Sequence, residues 1–313
     1  MPNSERIAVI GAGMMGHGIA QIFAIHGHRV SLLDVSDEIL AKAIENIRIN
    51  LTLMAQSGLG STADIEPAIK RIRVTRDLEE AVRDAQFVIE AVLEKLDLKQ
   101  ELFQKLDALC PSETILATNT SVISIAEIGA RATRRDRIVG THFWNPPYLV
   151  PLVEVVKGKE TSSKVVGLTT DLLRSVRKHP VEVKKDVPGF VGNRLQHALW
   201  REAISIVEQG IADPVTVDEV VKKGFGIRLP VLGPLENADM VGLDLTLQIH
   251  DYILKHIERS TEPSPVLKQK VEKGELGFQT GRGFYEWTQD SMEGCKKRFL
   301  KHLIRWDGEH LED

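Results

Sequence analysis

Short apolar runs rich in β-branched residues alternate with segments of helical periodicity over the first 187 residues. Such runs predict buried strands, and the first three lie at residues 7–10, 29–33 and 72–75. Further strands are predicted at residues 87–92, 114–117, 137–141, 152–156 and 181–184. Because strands that alternate with helices pair in parallel, the pattern predicts an α/β domain with a doubly wound sheet.

The second half of the chain has a different pattern, in which apolar positions recur with helical spacing and strand-like runs stop. Pro188 and Gly189 mark the change. We expect a first domain over residues 1–187 and an all-α domain over residues 188–313. Helices are predicted at residues 190–209, 214–223, 239–256, 266–273 and 292–305. Their apolar faces need cover, and we expect either a homodimer through this half or cover by the first domain.

A glycine motif, Gly11-Ala12-Gly13-Met14-Met15-Gly16, follows the first predicted strand directly. In a dinucleotide-binding turn, glycine at the position of Gly11 permits the tight turn and glycine at Gly13 lets the backbone approach a pyrophosphate. The third, Gly16, lets the next helix pack closely on the strand. The motif therefore predicts a Rossmann-type cofactor site, although a glycine turn in another α/β protein remains the alternative.

Two neighbouring features complete the predicted cofactor site. The helix that begins at Met14 and Met15 offers free N–H groups and a partial positive charge to phosphates. Asp34 ends the second predicted strand, where a carboxylate accepts hydrogen bonds from the ribose hydroxyls. Because its charge repels a 2′-phosphate, Asp34 favours NAD over NADP.

Composition and charge narrow the function classes. A hydrophobic fraction of 42% and a charged fraction of 27% are ordinary for a globular protein. The net charge of -4 provides no basic surface for nucleic acid or for an anionic membrane. The two cysteines, Cys110 and Cys295, are far apart and have no metal-ligand spacing. We expect a cytoplasmic protein without a membrane span, a structural disulfide or a metal.

His142 is the best candidate for acid–base chemistry. It ends a predicted core strand, and an imidazole can accept the proton of an alcohol near neutral pH. Glu154 lies twelve residues further on, across a turn that contains Pro146 and Pro147, and can orient the ring. An ordinary, partly buried histidine fits this spacing equally well.

The chain resembles the L-3-hydroxyacyl-CoA dehydrogenase family over nearly its whole length. The motifs that carry the resemblance occur in the family's order: residues 11–16, 90–94, 119–121, 142–146, 152–155, 186–194 and 277–285. The resemblance implies a Rossmann-type domain, a helical substrate and dimerisation domain, NAD as cofactor and a small-molecule substrate. It also implies that His142 is the base and Glu154 its partner.

Other site residues follow from the same resemblance. Ser121 and Asn193 match residues that bind substrate, while Glu94 and Lys99 match positions near the nicotinamide ribose. Asn119 is assigned to the cofactor site and Asn145 to the substrate site. Four of these residues have a structural alternative. Ser121 can cap a helix that starts near residue 122, and Asn193 can be an ordinary polar residue in the first turn after Pro188 and Gly189. Glu94 and Lys99 can be charges on a solvated helix end.

Three departures from the family pattern concern the substrate. The segment at residues 56–61 has no lysine where acyl-CoA users contact CoA phosphates, residues 147–151 differ, and residues 226–234 are longer. These features resemble the branch with λ-crystallin/gulonate 3-dehydrogenase, carnitine dehydrogenase and a pyridoxine-degradation dehydrogenase, which act on small free acids. Arg228 is then a candidate clamp for a substrate carboxylate, or else a surface arginine.

Three functions therefore compete. We favour an NAD-dependent dehydrogenase of a small 3-hydroxy acid. A 3-hydroxyacyl-CoA dehydrogenase of fatty-acid metabolism is the alternative within the same chemistry. A non-catalytic NAD-binding or crystallin-like protein is the alternative of another class, but it does not need both His142 and Glu154.

Overall fold

The computed structural model describes the chain from Ser4 to Glu309, with side chains up to Trp306. The chain forms two compact units. The first unit contains the described residues up to Asn193 and the end of the last helix from Phe299, and the second is Arg194–Arg298.

The first unit is built on one eight-stranded sheet with the order β3-β2-β1-β4-β5-β6-β7-β8. The strands are β1 (Arg6–Ile10), β2 (Arg29–Leu33), β3 (Ile72–Thr75), β4 (Phe87–Glu90), β5 (Ile115–Thr118), β6 (Ile138–Phe143), β7 (Leu152–Val156) and β8 (His179–Val183). The first six follow the order of dinucleotide-binding sheets. The predicted Rossmann-type α/β fold is confirmed.

One strand differs from the predicted parallel series. β7 pairs antiparallel with β6, whereas every other neighbouring pair is parallel. The connection, residues 144–151, is shorter than the roughly one dozen residues that a parallel crossover requires. The chain therefore turns back as a hairpin, and this reversal brings residues of β6 and β7 face to face.

Helices cover both faces of the sheet. They are α1 (Met14–Ile25), α2 (Asp37–Gln56), α3 (Ile65–Lys70), α4 (Leu78–Val82), α5 (Leu96–Leu109), α6 (Ile125–Ile128) and α7 (Ser163–Ser175). Helix α7 is absent from the sequence prediction. Its buried positions, Val165, Val166, Thr169 and Leu173, have helical spacing, and the Ser162 hydroxyl accepts a hydrogen bond from the Val165 N–H at 3.3 Å.

The core lies on both faces of the sheet, which explains why the strands read as continuous apolar runs. Along β1, Ile7 and Val9 pack in one apolar cluster, while Ala8 and Ile10 pack in the other. All four are at most 1% exposed. A central parallel strand buried on both faces cannot show polar–apolar alternation. The sheet is thus a rigid support whose chemistry lies at its strand ends.

The second unit is helical, as predicted. Its helices are α8 (Gly192–Glu208), α9 (Pro214–Lys223), α10 (Pro234–Val241), α11 (Leu243–Ile253), α12 (Pro265–Glu272) and α13 (Gln289–Glu309). The first residues of α8 and the last residues of α13 belong to the first unit. The single helix predicted at residues 239–256 is wrong. Gly242 has φ of 105°, which ends α10 before α11 begins. None of the described helices has both the length and the apolar character that crossing a bilayer requires.

Candidate active site

The glycine turn after β1 has the geometry that a bound pyrophosphate requires. Gly11 has φ of 101°, and a Cβ there would lie 2.6 Å from the Ala91 carbonyl oxygen. A Cβ on Gly16 would overlap the Gly11 carbonyl, so α1 can start close to the strand only with glycine there. Gly13 is exposed, and a Cβ there would meet open space. A ligand can therefore approach the backbone at Gly13.

Asp34 lies beside this turn at the end of β2. Its Oδ2 accepts a hydrogen bond from the Ala12 N–H at 2.7 Å, and its Oδ1 accepts one from the Val35 N–H at 2.7 Å. The carboxylate is thus fixed at the carboxyl edge of the sheet and remains partly exposed. Met14 and Met15 form the first turn of α1, and Met14 is 69% exposed. These residues fit a dinucleotide cofactor.

His142 and Glu154 face each other across the β6–β7 hairpin, where they are register partners. The His142 Nδ1 lies 2.8 Å from the Glu154 Oε2, and both side chains are buried. The contact requires the reversal of β7, because directly opposed residues in an antiparallel pair bring their side chains together. With Nδ1 protonated towards the carboxylate, Nε2 is the free acceptor of the ring.

A backbone turn holds the other oxygen of Glu154. The N–H groups of Val191 and Gly192 both donate to the Glu154 Oε1, each at 2.9 Å. Burial opposes ionisation of this carboxyl group, but the bonds from His142, Gly192 and Val191 outweigh it and lower the pKa of Glu154. Glu154 is therefore a carboxylate at neutral pH, with both oxygens engaged.

Two aromatic side chains flank the imidazole. The ring centroids of Trp144 and Phe190 lie 5.3 Å and 5.8 Å from that of His142. Phe190 is 1% exposed and has φ of 50°, a left-handed conformation that is rare for a bulky residue. A Cβ on Gly192 would overlap the Trp144 ring, so glycine is required there. The segment at residues 188–192 thus both packs against the His142 ring and supplies the two N–H groups that bind Glu154.

A second network joins the ends of β4 and β5. Glu94 accepts hydrogen bonds from the Thr120 hydroxyl and from the Ser121 N–H, the latter at 2.9 Å. The Lys99 ammonium lies 3.1 Å from Glu94 and 2.6 Å from the fully buried Glu90. Burial opposes the charge of Glu94, but the bonds from Thr120 and Lys99 outweigh it and lower its pKa. This network fixes the backbone of Ser121.

Ser121 is also tied to Asn193. The Asn193 Nδ2 donates to the Ser121 carbonyl oxygen at 2.9 Å. The expected alternative for Ser121, a helix cap, is wrong: α6 starts four residues later, at Ile125, and the hydroxyl of Ser124 accepts the capping bond from the Glu127 N–H.

The remaining predicted site residues lie in different settings. Asn119 accepts a hydrogen bond from the Phe143 N–H at 2.9 Å, which links β5 to the strand end that bears His142. Asn145 is exposed just beyond β6. Arg228 lies in the second unit after a 3₁₀ turn, Phe225–Ile227, and is exposed. The first unit thus brings together His142, Glu154, Ser121, Asn193, Asn119 and Glu94 through direct contacts or adjacent strand ends.

Sequence reasoning did not assign four residues that contribute to this site. The N–H groups of Val191 and Gly192 have no side-chain signature, although the glycine-rich segment that bears them stands out. Glu90 is an acid at the end of an apolar run, a signal that could have marked it as a buried partner. Trp144 follows His142 closely, but only the fold places its ring against the imidazole.

Two family models together match nearly all of the chain. The model for the 3-hydroxyacyl-CoA dehydrogenase NAD binding domain matches residues 6–187. The model for the 3-hydroxyacyl-CoA dehydrogenase C-terminal domain matches residues 189–287.

Individual relatives match over most of their length. The chain is 33% identical to the 5-formyl-3-hydroxy-2-methylpyridine 4-carboxylate 5-dehydrogenase of Mesorhizobium japonicum, over 96% of both chains. It is 40% identical to a probable 3-hydroxybutyryl-CoA dehydrogenase of Bacillus subtilis, over 91% of this chain and 98% of the relative. A crystal structure of a 5-formyl-3-hydroxy-2-methylpyridine 4-carboxylic acid 5-dehydrogenase, described as an NAD⁺-dependent dismutase, matches with a TM-score of 0.89 and 32% identity over 96% of both chains.

Proposed function

The chain belongs to the 3-hydroxyacyl-CoA dehydrogenase family, and we propose that it oxidises the 3-hydroxyl group of a small 3-hydroxy acid. As a member it is an NAD-dependent dehydrogenase that acts on a CH–OH group. The observation that carries the proposed chemistry is the buried contact between His142 and Glu154 at 2.8 Å.

In the proposed mechanism, His142 acts as the base. Its Nε2 takes the hydroxyl proton, while Glu154 holds Nδ1–H and balances the charge of the imidazolium that forms. NAD, when bound, supplies the hydride acceptor. Ser121 and Asn193, which are joined by a hydrogen bond, orient the substrate oxygen beside Nε2. The buried setting of His142 and Glu154 strengthens their interaction because little water screens it.

For the cofactor we propose that the Gly11–Gly16 turn holds the pyrophosphate and that Asp34 binds the adenosine ribose. Lys99 acts indirectly in this proposal. Its ammonium is 1% exposed between two carboxylates, so it orients Glu94 rather than reaching the nicotinamide ribose itself.

Replacing Asp34 with alanine is expected to raise the KM for NAD at least tenfold and to reduce the preference over NADP, because a charged hydrogen-bond acceptor for the ribose is lost. Steady-state kinetics with both cofactors measures this. Asp34→Asn is the matched control, since its amide oxygen can still accept from the Ala12 N–H. If only the alanine variant lost NAD affinity and neither variant used NADP better, Asp34 would merely shape the turn.

The preference for a free acid rests on the segment between α2 and α3. Residues 56–64 contain no lysine or arginine. Ser57 ends α2, and the Ser61 hydroxyl accepts a bond from the Ala63 N–H. A segment of this kind offers no cation to the phosphates of CoA. Similarity to a dehydrogenase named for a pyridine carboxylate supports the same preference.

Oxidation of 3-hydroxyacyl-CoA is the second candidate. The 40% identity to a probable 3-hydroxybutyryl-CoA dehydrogenase favours it, and under this reading the protein serves fatty-acid metabolism. Both candidates use the same His142–Glu154 chemistry and differ only in the group attached to the hydroxyl-bearing chain.

A substrate panel is expected to separate the two candidates. With small 3-hydroxy acids and 3-hydroxyacyl-CoA thioesters followed by NADH absorbance, we expect kcat/KM to be highest for a free acid. Each missing charged contact to CoA phosphates costs about 1.5–3 kcal/mol of binding. If 3-hydroxybutyryl-CoA proved orders of magnitude better than every free acid, the second candidate would replace the first.

Arg228 extends the same prediction. If Arg228 binds the substrate carboxylate, Arg228→Ala should raise the KM for the free acid at least tenfold and leave the KM for NAD unchanged. Lys223→Ala is the matched control, because this exposed lysine pairs with Glu219 on α9. If the two variants changed the KM for the free acid equally, the proposal that Arg228 binds the substrate carboxylate would be contradicted.

We propose that two copies join through the helical second unit. Its apolar side chains are widely exposed, including Leu195, Trp200, Leu243, Leu247 and Tyr252. A surface of this kind on a soluble chain marks an interface. Sedimentation at micromolar concentration is expected to give twice the chain mass, and a monomer that persists at this concentration would contradict the proposal.

We also propose that the protein works in the cytoplasm. Cys110 and Cys295 are free thiols. Burial raises the pKa of the Cys110 thiol to about 11, so the group is unreactive at neutral pH.

A further inference from the structure

Three arginines lie on one face of the sheet near the amino ends of three adjacent strands, whereas the glycine turn follows the carboxyl end of β1. Arg6 and Arg29 are register partners at the start of β1 and β2. Arg73 on β3 is the register partner of Ser31, which lies two residues after Arg29 and therefore on the same face. Like charges on neighbouring strands repel one another, so this arrangement costs stability unless an anion neutralises it.

Two of these guanidinium groups are held by residues that the structure describes, and the third has no partner among them. Arg6 donates from Nε to the Asp84 carbonyl oxygen at 2.7 Å. Arg73 donates to the Glu80 carboxylate at 2.9 Å and to the Glu80 carbonyl oxygen at 2.8 Å. The Arg29 backbone N–H donates to the Glu5 carbonyl oxygen at 3.2 Å, but its guanidinium has neither a hydrogen-bond nor an ion-pair partner among the residues that the structure describes. Two oriented donors thus flank an unpaired one.

The three arginines line a cavity of about 400 Å³. Lys70 and Arg71 also line it, so five basic residues stand against two acidic ones, Glu80 and Asp84. The Arg71 guanidinium donates to the Ala24 carbonyl oxygen at 3.2 Å. Glu80 is already engaged by Arg73 and by the Thr75 hydroxyl. The cavity therefore carries a net positive charge in a protein whose overall charge is -4.

We propose that this cavity binds a phosphoryl group, either as a free inorganic ion or on a small organic phosphate. Guanidinium groups present paired N–H donors that match phosphate oxygens, and several cations favour a multivalent anion. The cavity lies at the amino ends of β1, β2 and β3, whereas the turn that fits the cofactor follows the carboxyl end of β1. It is thus a second anion site, separate from the cofactor site.

Calorimetric titration of inorganic pyrophosphate into the full chain tests the proposal. NAD is kept saturating so that pyrophosphate cannot report on the glycine turn. We expect one binding event per chain that weakens as salt rises. Arg29→Gln should weaken it at least tenfold, since it removes a charged donor. Arg83→Gln is the matched control, because Arg83 follows α4, pairs with Glu79 and does not line the cavity.

A second variant and two further ligands complete the experiment. Lys70→Gln, at an exposed helix end, provides a second lining variant if Arg29→Gln folds poorly. Titration with glycerol 3-phosphate and with inorganic phosphate distinguishes the sources: tighter binding of the ester assigns an organic phosphate, and tighter binding of the inorganic ions assigns a free anion. Absence of binding with NAD saturating, or equal weakening by the Arg83 control, would overturn the proposal.

Discussion

Replacing His142 with glutamine is expected to lower kcat by roughly 10²–10⁴-fold, the range that a general base contributes. Glutamine keeps a polar group near Glu154 but has no nitrogen that can take a proton near neutral pH. The residues proposed to bind the cofactor, Asp34 and the Gly11–Gly16 turn, lie at the ends of β1 and β2, whereas the His142 ring contacts Glu154, Trp144 and Phe190. The dissociation constant for NAD should therefore change by less than twofold, as fluorescence titration would measure.

His179→Gln is the matched control for this experiment. His179 begins β8 and is exposed, so its loss tests the general effect of removing a histidine from the same sheet. We expect wild-type turnover from this variant. A His142→Gln protein within a few-fold of wild-type kcat would refute the proposed mechanism, and a protein that also lost NAD binding would assign His142 a structural role instead.

The cofactor turn could be predicted from the sequence because its determinants are local. Gly11, Gly13 and Gly16 are close in the chain, and the structure shows a steric reason for glycine at Gly11 and at Gly16. Asp34 could be placed because β2 begins and ends where its apolar run does. Features of this kind depend on few distant contacts, so a pattern of residues is enough to specify them.

The β6–β7 pairing shows where local pattern becomes ambiguous. Alternation of strands and helices predicted parallel neighbours, whereas Glu154 was expected to lie across a turn from His142, as it does in a hairpin. The structure agrees with the hairpin, because residues 144–151 cannot form a crossover. Connection length, rather than strand composition, decides strand direction here.

Helix α7 was missed for a different reason. Only Val165, Val166, Thr169 and Leu173 are buried along it, and the other positions are mostly polar. The spacing of these buried positions is helical, but the segment has few of them, and the helix gains its stability from packing against the sheet. The split at Gly242 is of the opposite kind: the apolar pattern continues through the glycine, but the backbone turns there.

The residues that hold the site side chains in place were the hardest to predict from the sequence. Glu154 depends on N–H groups of Val191 and Gly192, which are more than thirty residues away and belong to the backbone. Glu90 and Lys99 meet because a strand end and the start of α5 adjoin in space. Side-chain identity can suggest that a charge needs a partner, but only the fold decides which partner it finds.

Replacing Glu154 with glutamine should be nearly as severe as losing His142, for a reason that the two oxygens of Glu154 explain. The Val191 and Gly192 N–H groups require an oxygen at the Oε1 position, so the amide of glutamine is expected to keep its oxygen there. Its NH₂ group then faces the His142 Nδ1, which must accept instead of donate. The proton moves to Nε2, and the ring loses the acceptor that the reaction needs.

The expected loss in kcat is on the order of 10²–10⁴-fold, the range that a general base contributes. Replacing a buried carboxylate that orients a catalytic histidine by its amide reaches about 10⁴-fold, the upper end of that range. Rapid-mixing or steady-state kinetics with NAD saturating measures it. Glu182→Gln, which is exposed on β8 beside β7, is the matched control and should retain wild-type turnover. Retained turnover in Glu154→Gln would mean that the carboxylate neither sets the tautomer nor balances the imidazolium.

Stability should report the same carboxylate independently of turnover. Because the pKa of Glu154 is lowered in the folded state, its ionised form stabilises the fold above the ordinary pKa of a glutamate, and this contribution is lost as the pH falls through the lowered pKa. Wild type should therefore have a higher free energy of unfolding than Glu154→Gln. The difference should be largest at neutral pH and should shrink in acid. Urea denaturation at several pH values measures this. A difference that stays constant with pH would show that packing, and not charge, is what Glu154 contributes, and the tautomer argument would then lose its electrostatic basis.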